Sequence, residues 1–240
     1  MAASGAIIHG NQGGVATLLG AIVVAGPFLQ LQLPGTTMPP VTYTHWQDIL
    51  EKHVPEWFPF DMTEAAARFF VTPIILAGVT TTTAVLELGQ HELTFSAEVP
   101  VTGNVAQGCI NYLIKGPQGS LPVKVIKTKD LFTPANQGSL LVQMAAVRDQ
   151  TVALPNNQAS DATPSIPRNR LIYPVKSDIF GVLTNGQEWG LYKYEQGGDS
   201  VSYEVYGLSI SQEHEVFLAH LDKLLAALVG ILRYQAGAVE

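Results

Sequence analysis

Gly108-Cys-Ile-Asn-Tyr-Leu-Ile-Lys-Gly-Pro-Gln-Gly-Ser-Leu-Pro-Val-Lys-Val-Ile-Lys-Thr-Lys129 is the stretch on which the fold turns. Gly108 to Ile114 and Val123 to Thr128 are apolar and β-branched, and read as two strands. Gly116-Pro117-Gln118-Gly119 between them is a strong turn signal. Upstream, Leu93 to Val99 alternates apolar and polar residues, the period of a half-buried strand. Thr80 to Leu88 is dense in β-branched residues and is expected to form another strand.

Helices bracket this block. Asp61 can cap a helix with Glu64 three residues on, the reciprocal capping-box arrangement. Ala65, Ala66, Ala67, Phe69 and Phe70 continue it until Thr72-Pro73 kinks or ends it. Beyond the strands, Asn136 to Val147 sets Leu140, Leu141, Met144 and Val147 at helical spacing. Residues 154–170 form a loop, because Pro155, Asn156, Asn157, Pro164 and Pro167 forbid much else. Ile179 to Thr184 and Trp189 to Tyr194 then flank Asn185-Gly186, the dipeptide that most favours a tight β-turn. Val201 to Leu208 adds a strand. Ser211 can cap a last helix whose Phe217, Leu221, Leu224, Leu225, Leu228 and Leu232 make one apolar stripe. The order predicts an α/β (α+β) fold: a mixed β-sheet flanked by helices.

Composition narrows the function. Of 240 residues, 47% are apolar and 14% charged, which excludes disorder as the main state. Thirteen basic against 20 acidic residues give a net charge of −7, which disfavours broad binding to nucleic acid. The single cysteine, Cys109, excludes an internal disulfide framework and any Cys-clustered zinc site, and fits a reducing, intracellular compartment.

Charge is unevenly placed. No Asp, Glu, Lys or Arg precedes Asp48. Residues 1–60 read as an uncharged apolar segment, Val15 to Ala25 at its centre, with a Pro- and aromatic-rich connector over 33–60. In the connector, His45 to His53 can form a short helix. Residues 61–240 read as the folded domain. The apolar run is too short to span a membrane and lacks the basic flank of a signal peptide. An apolar segment of this kind needs a cover. Its own domain or another subunit is expected to supply it, a homodimer ahead of a monomer, with membrane association the lesser alternative.

No P-loop, dinucleotide-binding glycine motif or nucleophile elbow is present. His214 and His220 are six apart, so a helix places them on different faces. Cys109 reads as a small buried hydrophobe. The densest basic cluster is Lys124, Lys127 and Lys129, with Lys115 nearby, a patch able to hold a phosphate or an acidic segment.

A set of short strings carries a resemblance. Glu64 sits on the first helix, Gly108-Cys-Ile-Asn111-Tyr112 on a strand and Lys127-Thr-Lys129 on the next. Gln137 and Gln143 lie on the helix that follows, and Phe180-Gly-Val-Leu-Thr-Asn-Gly-Gln-Glu-Trp189 forms the hairpin. Over residues 61–234 this resembles the PD-(D/E)XK nuclease-like superfamily. The branch is that of type I restriction subunit N-terminal nuclease parts and Crinkler-type effector domains.

The resemblance implies a restriction-endonuclease-like core. In that family two strand carboxylates hold a divalent metal, and a lysine two residues past the second orients water. Here Asn111 stands where the first Asp belongs and Lys127 where the second carboxylate belongs. Lys129 matches the lysine and Glu64 the helix Glu. The site positions are therefore Glu64, Asn111, Lys127, Lys129 and Gln143, with Lys115, Lys124, Lys127 and Lys129 as candidate binding groups. No metal or other cofactor is expected. Glu98, on the preceding strand, is the carboxylate best placed to reach the site, and Lys127 can pair with Glu64 or Glu98.

The expected function is that of a catalytically degenerate nuclease-like domain retained as a binding or scaffolding module, not an enzyme, with a protein partner or self-association. One alternative is an active nuclease with relocated ligands, which would need Mg²⁺. Another is an assembly protein that oligomerises through its N-terminal segment.

Overall fold

The computed structural model describes residues 22–25, 44, 64–85, 93–102, 107–117, 119–126, 131–153, 178–194, 200–208 and 214–237. Its elements are β1 (Ile22–Ala25), α1 (Glu64–Val85), β2 (Thr94–Thr102), β3 (Gln107–Gly116), β4 (Gly119–Val125), α2 (Pro134–Ala153), β5 (Ile179–Thr184), β6 (Glu188–Tyr194), β7 (Ser200–Gly207) and α3 (His214–Gln235).

All seven strands join one mixed sheet in the order β1-β7-β6-β5-β4-β3-β2. Two antiparallel meanders, β2-β3-β4 and β5-β6-β7, meet at the parallel pair β4–β5. Parallel neighbours need a crossover, and α2 lies in that connection. β1 adds in parallel to β7, so part of the charge-free segment is an edge strand of this sheet.

Three layers result. One face of the sheet carries α1 and α3, with Ile74, Ile75, Leu221, Leu225 and Leu228 packed on Ile114, Val123, Phe180, Val182, Trp189 and Leu191. The other carries α2, with Leu140, Leu141 and Met144 on Leu183, Tyr192 and Val201. Every member of the predicted stripe on α3 is buried.

α1 corrects the sequence reading. It runs through Pro73 to Val85, and residues 80–85 are helix where a strand is expected. Ala67, Phe70, Val71, Ile74, Ile75 and Ala77 are at most 4% exposed, a helical spacing that the β-branched density masks. Burying Phe70, Val71, Ile74 and Ile75 is worth about 1.5–3 kcal/mol each. That outweighs the ~3 kcal/mol cost of an interior proline and the smaller cost of each threonine. The threonines also adapt: Thr72, Thr82 and Thr83 turn their hydroxyls onto the carbonyls of Arg68, Gly78 and Val79 at 2.7–2.9 Å. Ala67–Ala84 is long and apolar enough to cross a membrane, but its apolar face packs on α3 and the sheet.

The β5–β6 turn follows the sequence. Gly186 has a φ of 92°, open to glycine at no steric cost. Asn185 Oδ1 accepts from the backbone N–H groups of Gln187 and Glu188 at 3.0 and 2.8 Å. The connector helix at 45–53, the loop at 154–170, the Ser211 cap and the domain boundary at residue 60 lie outside the described residues.

Candidate functional site at a strand fork

β3 and β4 pair from Gly116–Gly119 only as far as Tyr112–Val123. Beyond that rung β3 stays with β2, while β4 stays with β5. Asn111 sits at the parting. Its Oδ1 accepts from the backbone N–H of Val125 at 2.8 Å, replacing the missing rung. Its Nδ2 donates to Glu64 Oε1 of α1, also at 2.8 Å. Both ends of the amide are committed inside the protein.

The β2–β3 hairpin rolls over at the same level. Tyr112 and Ile114 pack toward α1 and α3, with Phe95 stacked on Tyr112 at 5.4 Å between centroids. Val101 and Ile110 pack toward α2. Residues two apart in a regular strand share a face, yet Ile110 and Tyr112 do not. Glu98, which stands opposite Asn111, takes up the distortion with a φ of 51°. A non-glycine residue there carries roughly 1–3 kcal/mol of strain, of the kind that clusters at sites.

Arg68, one helical turn after Glu64, supplies the site's cation. It bonds Glu64 Oε1 at 2.5 Å and pairs with Glu98 Oε1 through its other terminal nitrogen. Partial burial works to lower the Arg68 pKa, but the hydrogen bonds and charges of the two carboxylates outweigh it and raise it. Cys109 is exposed, against the buried hydrophobe expected. Its thiol lies 3.4 Å from Glu98 Oε2, and its pKa is raised, by desolvation first and then by that carboxylate.

On the α2 side of the fork, strand alternation turns Lys124 toward the helix. Its Nζ donates to Ser139 Oγ at 2.8 Å. Burial pushes the Lys124 pKa down, opposed by the more distant charge of Glu64. Gln143, one turn past Ser139, donates through Nε2 to the carbonyl of Cys109 at 3.0 Å. Its Oε1 is buried without a hydrogen-bond partner among the described residues. Gln137 is buried in the same helix.

The structure thus joins Asn111 to Glu64 directly and Glu98 to the same cluster through Arg68, while Gln143 bonds the Cys109 backbone and Lys124 bonds Ser139. Lys115 is not among them: it stands opposite Ser120, four residues along β4 from Lys124, roughly 13 Å away at strand rise. Lys127 and Lys129 lie outside the described residues. The part of β4 that Asn111 touches is Val125, two residues before Lys127. Among the described residues, Arg68 pairs with Glu64 and Glu98; the sequence reading misses it although its i,i+4 spacing from Glu64 signals a helix ion pair. Nothing in the sequence marks Ser139. His220 is half-buried, with Nδ1 unpartnered among the described residues.

A divalent metal does not fit this donor set. Arg68 occupies both carboxylates, the Asn111 oxygen is spent on a backbone N–H, and its neighbour on β4 is a valine. Among the described residues no group of three or more His, Cys, Asp and Glu could hold a metal ion. No family model, curated protein or solved structure matches the chain.

Proposed function

We propose that this is a catalytically degenerate nuclease-like domain that acts as a binding or scaffolding module. The observation that carries the reading is the guanidinium of Arg68 lodged between Glu64 and Glu98, where a nuclease would need a metal. The order helix, three-stranded meander, helix, hairpin supports a nuclease-like ancestry. The strand fork, with a polar side chain in its crotch, supports placing the former site there. With a fixed cation in place of an exchangeable one, the site holds α1 to the sheet and generates no nucleophile.

The test is incubation of the purified chain with plasmid and single-stranded DNA and RNA in Mg²⁺ or Mn²⁺. Intact substrates are the expected result. Cleavage that disappears in Glu64→Ala overturns the reading.

A further inference from the structure

We draw no further inference here: the strongest candidate, the apolar outer face of α1 that exposes Phe69 and Leu76, carries none because nothing in the structure shows what covers it.

Discussion

Asn111 donates to Glu64 across 2.8 Å while its own carbonyl oxygen holds the Val125 N–H, so one amide ties α1 to both arms of the fork. An amide offers both a donor and an acceptor. A carboxylate at this position would keep the contact to Val125 and lose the donor to Glu64.

Asn111→Asp should therefore destabilise the chain near neutral pH. Losing a hydrogen bond to a charged group and setting two carboxylates together should cost about 1.5–3 kcal/mol. Repulsion would raise the folded-state pKa of the new Asp above its unfolded value. The folded state then binds more protons, and stability returns as pH falls through the raised value. Urea unfolding at pH 7 and pH 5 checks this: the gap to the natural chain should narrow at pH 5. An unchanged gap would mean that the carboxylates are not neighbours.

Arg68→Met removes the cation and leaves Glu64 and Glu98 facing each other. The groups are 30–54% exposed, so solvent screens them and each pair is worth at most about 1 kcal/mol. A loss of about 1–2 kcal/mol is expected, smaller in high salt because added ions relieve the repulsion. A double-mutant cycle with Glu98→Gln should recover part of it. A salt-independent loss would instead assign Arg68 a packing role through its stem.

Deleting residues 1–33 removes β1 and leaves the β7 edge without its parallel partner. A sheet edge so uncovered is a template for pairing with another chain. The truncated protein should aggregate or gain mass per particle in light scattering. If particle mass and melting temperature stay unchanged, the β7 edge does not depend on this strand.

Legibility from the sequence tracked how local the determining physics is. The β5–β6 hairpin was fully readable because its turn is set by Asn185 and Gly186 themselves. α3 was readable because its stripe repeats at one period. The second half of α1 was misread because Thr80 to Thr83 carry strand propensity locally, while what keeps them helical is distant: Gly78 lies against Leu225, Leu228 and Leu232 of α3. At the site, the resemblance singles out Glu64, Asn111 and Gln143, and the contacts join Asn111 to Glu64 and Gln143 to the backbone of Cys109. Arg68 was available from its spacing alone. Lys115 was grouped with Lys124 by sequence proximity, which a strand stretches into distance. Ser139 meets Lys124 only because α2 crosses the sheet, and no local pattern encodes that.

The last prediction concerns Lys124 and pH. Burial lowers its folded-state pKa below the ordinary lysine value. Between the lowered pKa and the unfolded one near 10.4, the unfolded chain binds more protons, so stability rises with pH across that window. Below it the ammonium is charged in both states and its desolvation weighs fully on the folded chain. Lys124→Met should thus be neutral or stabilising at pH 7, by up to about 2 kcal/mol, because a similarly sized apolar side chain replaces an ion without a counter-ion. The advantage should shrink as pH rises through the lowered folded-state pKa and the natural lysine loses its charge. Urea unfolding of both chains from pH 7 to pH 10 reads this directly. An advantage that stays constant across the range would show that the Lys124 ammonium carries no desolvation penalty. A variant destabilised by several kcal/mol would show that its bond to Ser139 holds α2 to the sheet, with the charge merely tolerated.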